Sequence, residues 1–303
     1  MKKKISILIP CLNEEKTIDK VISKLKKKLP DSKIYVFDNK SSDNSVKIAK
    51  NSGALVFKVK NKGKGNVVRK MFSDIESDIY VMIDADDTYD VSNINKMIRF
   101  LDENYIDMLV AKRVSVDSKA YRAGHVFGNK LFSNLVKIIF GNQIDDLFSG
   151  FRVFSKRFVK SFPCNSLGFE IETELTIHAL EQRLGIGEIE CNYYPRPQGS
   201  ISKLNTFEDG LKILNLILIL IKDEKPLFFF SILSILFLIF SFSLGLPVFF
   251  DFLETGKVEK LPSAVLAGIN MIIAFLSFFS GLILDVVKKS RHEKKRLQYL
   301  MIK

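Results

Sequence analysis

Apolar residues in the first part of the chain follow two alternating periodicities. Four short apolar runs, rich in β-branched or aromatic residues, are bounded by polar segments and occupy residues 5–9, 34–37, 54–58 and 79–83. Between them, apolar residues recur every three or four positions, as on one face of a helix, at residues 14–29, 45–51 and 63–73. This alternation predicts the order β-α-β-α-β-α-β, and therefore an α/β fold with a doubly wound, mostly parallel sheet.

Polar clusters follow three of the four predicted strands at the point where each strand ends. The cluster after the fourth strand contains Asp84 and Asp86, with only Ala85 between them. Doubly wound sheets bind ligands outside the carboxyl ends of their strands, and two carboxylates at one point repel each other unless a cation lies between them. Such hard oxygen ligands suit Mg²⁺ or Mn²⁺ bridging a diphosphate. On spacing alone, acids that solvate a loop or cap the next helix are an equally good interpretation.

A second candidate for phosphate binding is the turn Gly63-Lys64-Gly65, which precedes a predicted helix. It lacks the spacing of a Walker A loop and of the G-x-G-x-x-G fingerprint. The spacing therefore leaves two interpretations open, a phosphate contact through Lys64 and a flexible turn before the helix.

The pattern changes after residue 205, which we take as the end of the α/β domain that begins at residue 1. Residues 206–225 start with polar residues, become apolar and close with charges, which predicts an amphipathic helix at a membrane interface. Two apolar stretches follow, at about 226–250 and 261–287, and each is long enough to cross about 30 Å of hydrocarbon. The alternative is two buried helices in a large soluble core, but helices of this length in soluble proteins almost always carry a charged face. We therefore predict two transmembrane helices.

The distribution of charge predicts a membrane partner and an orientation. The net charge is +12 and the isoelectric point is about 9.4, values that suit nucleic acid or an anionic membrane surface. The densest basic runs are residues 2–4 and 288–296, and the second abuts an apolar stretch, which favours the membrane over nucleic acid. The positive-inside rule places the basic tail, residues 288–303, in the cytoplasm, and two spans return the chain to the side that it left. We therefore expect a multi-pass cell-membrane protein whose α/β domain and both termini are cytoplasmic.

Cysteine and histidine usage gives no sign of a metal cluster or a disulfide framework. The cysteines are odd in number and far apart, which favours a reducing compartment; they are Cys11, Cys164 and Cys191. The histidines have no ligand spacing, and His178 lies in an apolar helical segment where a structural role is expected.

Five motifs occur in a characteristic order: PCLNEEKTI, FDNKSSDNS, NKGKGNVVRKMF, DADDTYD and DDLFSGFRVFSKR. This ordered set resembles family-2 glycosyltransferases and, more narrowly, the polyprenyl-phosphate sugar synthases typified by dolichyl-phosphate mannose and glucose synthases. The resemblance extends from about residue 5 to about residue 214. It implies a nucleotide-sugar-binding domain of the glycosyltransferase A type, an inverting transfer and a divalent metal, Mg²⁺ or Mn²⁺.

By position in these motifs, the resemblance implies a nucleotide cradle in the first two. Pro10, Leu12 and Glu14 match the segment that surrounds the nucleotide, with Leu12 in place of the usual Tyr. Asp38 and Asn39 match an acidic pair of which one member holds the base. Because Asn39 replaces the commoner second Asp, the prediction centres on Asp38.

The resemblance also implies a metal and diphosphate site. Asp84 and Asp86 match its metal-binding acids, and Ala85 lets the backbone approach the ribose. Lys64 is a further predicted donor contact. Thr88 occupies a position where many relatives have Gln as an additional ligand.

The remaining implied roles concern phosphate groups. Arg113 matches an arginine that contacts donor phosphate, and Asp146 and Arg152 fall in the D-x-x-S-G-F-R pattern with catalytic roles, Asp146 as an orienting group or a base. Arg196 and Lys203 match a basic set that would hold the acceptor phosphate. Glu172 lies in an acidic segment near the floor of the family's site and is a further candidate.

Together these features predict transfer of a sugar from a nucleotide-diphosphate sugar to a polyprenyl phosphate at the cytoplasmic membrane face. Relatives with two C-terminal spans suggest a UDP-sugar donor and a homo-oligomer. Three alternatives stay open: another lipid or glycan acceptor, a processive synthase, and a non-catalytic membrane adaptor with the same fold. The absence of Trp argues against the processive synthase, since such enzymes carry a Q-x-x-R-W segment.

Overall fold

The chain divides into two compact units, the first comprising Met1–Ile213 with Lys295–Lys303 and the second comprising Leu214–Lys294. The computed structural model describes residues 3–115, 136–137, 141, 144–168, 170–196, 215, 218–219 and 221–302.

The first unit is built on a sheet whose described strands have the order β3-β2-β1-β4-β6-β5-β7. The strands are β1 Ile5–Cys11, β2 Lys33–Asp38, β3 Leu55–Lys58, β4 Ile79–Met82, β5 Met108–Ser115, β6 Arg152–Ser155 and β7 Ile186–Tyr193. Neighbouring strands are parallel except at β6, which is antiparallel to both β4 and β5. The predicted mostly parallel sheet is confirmed.

Helices connect these strands and cover the sheet. Their bounds are α1 Ile18–Lys28, α2 Ser45–Asn51, α3 Lys64–Asp74, α4 Ile94–Glu103, α5 Lys156–Ser161 and α6 Ile171–Glu181. On α1, the buried residues recur at helical spacing and pack in the same hydrophobic cluster as β1, β2 and β4. Burial of this stripe, rather than helix propensity, supplies most of the stability of such helices.

Strand register explains why polar groups meet at one edge of the sheet. Parallel pairing aligns Cys11 of β1 with Asp38 of β2 and Leu8 with Met82 of β4. The loops after β1, β2 and β4 therefore leave the sheet at the same edge. Antiparallel pairing aligns Met82 with Arg152, so continuing that register past the strand ends brings Gly150 beside Asp84.

Residues after 294 pack on the first unit. The Tyr299 hydroxyl donates to Asp107 Oδ2 at 2.9 Å, and Arg157 Nε donates to the Ile302 carbonyl at 3.1 Å. Lys295 forms an ion pair with Glu181 at 2.5 Å. The end of the predicted basic tail is thus helical and tied to the first unit.

The second unit contains two long apolar helices. They are α7 Pro226–Thr255 and α8 Leu261–Met301, of which the residues from Lys295 onward belong to the first unit. Both are long and apolar enough to cross a membrane by length and composition. The Ser241 hydroxyl of α7 donates to the Ala267 carbonyl of α8 at 2.7 Å, a type of contact that joins helices in apolar surroundings. Most of the predicted interfacial helix, residues 206–225, lies outside the described residues.

Candidate active site

The centre of the site is the acidic loop that follows β4. Asp86 is buried, Asp84 is half-buried, and Ala85 between them is buried. Burial raises the pKa of the Asp86 carboxyl, the neighbouring charges of Asp84 and Glu14 raise it further, and Arg196 opposes the rise. The two predicted metal ligands are thus brought close enough to repel each other.

A buried lysine neutralises one of these acids. Lys64 Nζ lies 2.5 Å from Asp84 Oδ1 and 2.5 Å from Glu172 Oε1, and its side chain is 11% exposed. Burial lowers the pKa of Lys64, but the two carboxylates outweigh burial and raise the pKa overall. Burial also raises the pKa of Glu172. Lys64 therefore acts as an internal counterion that joins α3, the acidic loop and α6.

An arginine neutralises the other acid. Arg196 Nη2 lies 2.6 Å from Asp86 Oδ2, and Arg196 Nη1 lies 3.5 Å from Glu14 Oε1. On the opposite side of the carboxylate, the Thr88 hydroxyl donates to Asp86 Oδ1 at 2.6 Å. Thr88 thus orients Asp86.

Asn39 holds the loop that carries Lys64. Its Nδ2 donates to the Asn61 carbonyl at 2.7 Å, and its Oδ1 accepts from the Gly63 amide at 2.8 Å. In the family that this chain resembles, aspartate is the commoner residue at position 39. An aspartate side chain has no N–H group to donate to the Asn61 carbonyl. The neighbouring Asp38 is buried and accepts from the Ser41 amide at 3.1 Å.

Arg113 and Asp146 form a two-pronged ion pair. Arg113 Nε donates to Asp146 Oδ2 at 2.8 Å, and Arg113 Nη2 donates to Asp146 Oδ1 at 2.7 Å. Burial raises the pKa of Asp146, but the hydrogen bonds and charge of Arg113 outweigh it and lower the pKa. A carboxylate held in this way is a poor proton acceptor. Of the two roles that the resemblance left open for Asp146, this geometry favours that of an orienting group over that of a base.

The structure places Arg152, for which the resemblance implied a catalytic role, in the core of the first unit. Its side chain is fully buried. Its guanidinium donates to the carbonyls of Ser149 and Leu147 at 2.8 and 2.7 Å and to the Thr176 hydroxyl at 2.8 Å. Burial lowers its pKa to about 10, so it stays charged at neutral pH. Arg152 therefore fixes the turn that leads to Gly150.

Gly150 is a site residue that our sequence analysis missed. A Cβ added there would overlap the Asp84 carboxylate and lie 2.7 Å from its Cγ. The Gly150 amide also donates to the Tyr89 hydroxyl at 2.9 Å. The signal that could have found it is the S-G-F sequence beside Arg152, but the contact with Asp84 arises only from strand register.

The other predicted residues surround this centre. Pro10 pairs with Phe37 of β2 one residue before β1 ends, and Leu12 is half-buried in the loop that follows. The buried Glu14 accepts from the Thr17 hydroxyl at 3.3 Å. Lys203 lies outside the described residues.

The acidic groups of the site, taken as metal ligands, fit a divalent cation. All of them offer hard carboxylate oxygens, the ligands that Mg²⁺ and Mn²⁺ prefer. When all the carboxylates in these contacts are ionised, they exceed the protein cations by two negative charges. A divalent cation would neutralise this excess. The carboxylates are those of Glu14, Asp84, Asp86 and Glu172, and the cations are Lys64 and Arg196.

Comparison with known proteins agrees with this geometry. Residues 6–162 match the family model described as glycosyl transferase family 2. Glycosyltransferase AglJ of Haloferax volcanii is 28% identical over 98% of both chains, and a dolichyl-phosphate hexose transferase of the same organism is 22% identical over 69% of this chain and 90% of its own. Glucosyl-3-phosphoglycerate synthase from Mycobacterium tuberculosis, crystallised with Mn²⁺ and UDP-glucose, covers 73% of this chain and 78% of its own, with 22% identity and a TM-score of 0.57. That likeness shows a fold of the glycosyltransferase A type, and the match to more than half of the sequence shows that the chain is a family-2 glycosyltransferase.

Proposed function

We propose that this glycosyltransferase moves a sugar from a UDP-sugar to the phosphate of a polyprenyl lipid, with inversion at the anomeric carbon. The observation that carries the proposal is the Asp84–Asp86 pair at the carboxyl edge of the sheet, in a chain that also has two helices of membrane-spanning length. Relatives named as dolichyl-phosphate sugar transferases support the lipid acceptor. The structure crystallised with Mn²⁺ and UDP-glucose supports the donor.

The reaction requires charge stabilisation more than proton transfer. An oxygen of the acceptor phosphate forms a bond to the anomeric carbon while the bond from that carbon to the diphosphate oxygen breaks, and the electron pair leaves with UDP. Because the acceptor is already an anion, it needs little help from a base. This agrees with the lowered pKa of Asp146 and its ion pair with Arg113.

The residues of the site have separate proposed roles in metal binding, orientation and phosphate contact. Asp84 and Asp86 would hold Mg²⁺ or Mn²⁺, which when bound offsets the charge of the leaving diphosphate. Thr88 and Lys64 keep these two carboxylates oriented through the contacts described above. Arg113 is proposed to contact donor phosphate, since a guanidinium suits phosphate geometry.

The nucleotide is proposed to lie over the loops after β1 and β2. Pro10, Leu12 and Glu14 form one wall, and Asp38 binds the base. Arg196 and Lys203 are proposed to bind the acceptor phosphate. We also propose a homo-oligomer, following the relatives with two C-terminal spans.

The proposed topology has its own test. Both termini and the catalytic unit are expected on the cytoplasmic side. Tags at Met1 and Lys303 should react only from the cytoplasm, and a cysteine introduced between Glu254 and Glu259 should react only from outside. Reaction of the terminal tags from outside would overturn the orientation.

The function is tested with the purified full chain in detergent, a panel of nucleotide sugars, a short polyprenyl phosphate and Mn²⁺. We expect a lipid-linked sugar, identified by mass. Asp86→Asn should lower turnover by at least about a hundredfold, whereas Asp102→Asn, at a partly exposed position of α4, should not. Donor consumption without a lipid product would refute the polyprenyl acceptor, and full turnover by Asp86→Asn would refute the metal site.

A further inference from the structure

The Arg196 guanidinium contacts a carboxylate oxygen of Asp86 that a metal at this site would need as a ligand. Asp86 Oδ1 accepts from the Thr88 hydroxyl at 2.6 Å and from the Thr88 amide at 3.3 Å, and Asp86 Oδ2 faces Arg196 Nη2 at 2.6 Å. A divalent cation on Oδ2 would lie next to a guanidinium at ion-pair distance. Two cations repel strongly at such a separation in a buried site, so metal and guanidinium compete for this oxygen.

The two protein cations of the site differ in how firmly they are held. Lys64 contacts two carboxylates at 2.5 Å and is 11% exposed, whereas Arg196 has its longer contact to Glu14 at 3.5 Å and is 31% exposed. Moving either cation would leave acids without their counterion, Asp84 and Glu172 for Lys64 and Asp86 and Glu14 for Arg196. A metal bound at Asp86 would replace the charge that Arg196 gives up, whereas Glu172 would still need Lys64. Arg196 is therefore the cation that can be exchanged.

The backbone beside Arg196 is fixed to the acidic loop. The Tyr194 amide donates to the Thr88 carbonyl at 2.8 Å, and Tyr193 and Tyr89 form an antiparallel bridge. The arginine thus starts two residues beyond an anchor on the loop that carries Asp86. Its side chain can leave Asp86 by rotation about its own bonds and still remain at the site.

We propose, on the basis of the proposed function, that Arg196 is an exchangeable counterion: a divalent cation displaces its guanidinium from Asp86, and the released guanidinium then binds a substrate phosphate. Without the metal, Arg196 is neutralised by Asp86 and attracts an anion weakly. With the metal, its charge is available. Metal binding and phosphate binding therefore strengthen each other by the same factor, as linkage requires.

The proposal predicts a change that damage to the fold would not produce. Arg196→Gln removes the competitor, so it should tighten Mn²⁺ binding by on the order of tenfold, the effect of one charge-assisted hydrogen bond. Arg99→Gln, which removes the same charge from an exposed position on α4, should leave Mn²⁺ affinity unchanged. A short isoprenyl phosphate should tighten Mn²⁺ binding by the wild type and have a clearly smaller effect on Arg196→Gln, in which Lys203 is the remaining proposed phosphate contact.

Electron paramagnetic resonance of free Mn²⁺ measures these affinities in the full chain in detergent, without nucleotide and with a fixed concentration of UDP. Affinity of Arg196→Gln equal to or weaker than that of the wild type would overturn the exchange, and an isoprenyl phosphate without effect on the wild type would overturn the coupling. Both results leave the proposed transfer intact. Unchanged Mn²⁺ binding by Asp86→Asn would instead overturn the metal site on which both proposals depend.

Discussion

Replacing Lys64 with Met keeps the length of the side chain and removes its ammonium group. In the folded protein this group joins Asp84 Oδ1 and Glu172 Oε1, each at 2.5 Å. The substitution therefore leaves two carboxylates facing each other, in a place where the Glu172 side chain is only 6% exposed.

The size of the effect follows from this burial. Removing one partner of a buried ion pair costs about 3–5 kcal/mol of unfolding free energy, because the other charge remains without compensation. Burial already raises the pKa of Glu172, and loss of Lys64 raises it further, so this carboxyl can take up a proton. Proton uptake limits the cost, and we expect about 3 kcal/mol at neutral pH. The cost should shrink as the pH falls, since protonated Glu172 no longer needs a counterion.

Urea unfolding of the full chain in detergent, followed by circular dichroism, measures this change, and hydrogen exchange of β4 and α6 locates it. Lys70→Met is the matched control on the same helix. Lys70 pairs with Asp74 at 2.7 Å but is 40% exposed, so its removal should cost at most about 0.5 kcal/mol. Adding Glu172→Gln to Lys64→Met should recover most of the loss. Equal destabilisation by Lys64→Met and Lys70→Met would refute the buried bridge.

Two further substitutions test other parts of the first unit. Gly150→Ala should push the Asp84 carboxylate aside and lower Mn²⁺ affinity by roughly tenfold or more. Gly268→Ala should not, because an added Cβ there has no atom of the described residues within 4 Å. Unchanged Mn²⁺ binding by Gly150→Ala would show that this contact does not position Asp84. His178 is buried between the rings of Phe158 and Phe162, and burial lowers its pKa from 6.5 to about 4. The unfolded chain therefore binds a proton at higher pH than the folded chain, and stability is lost as the pH falls from 6.5 toward 4. The loss between pH 7 and pH 5 should be about 2 kcal/mol, and urea unfolding of His178→Leu at both pH values should lack it; the same loss in His178→Leu would assign the acid sensitivity to other groups.

The local pattern of the sequence was enough to predict the first half of the sheet. The four apolar runs became β1 to β4, with α1 to α3 between them, because alternation and helical spacing are properties of neighbouring residues. The same reasoning placed Asp84 and Asp86 after β4, and the ordered motifs identified the family. Helix starts were less well predicted: the first helix begins at Ile18 rather than near Glu14, whose carboxylate belongs to the site.

Tertiary structure decided what each charged group contacts. Spacing left Lys64 as either a phosphate contact or part of a turn, and the fold joined it to Glu172, more than a hundred positions away in the chain. The motif match predicted a catalytic role for Arg152, and the antiparallel insertion of β6 between β4 and β5 decided that its side chain lies in the core. The same insertion brought Gly150 against Asp84. These contacts depend on strand order and register, which are set by the packing of the whole sheet, so periodicity along the chain could not reveal them.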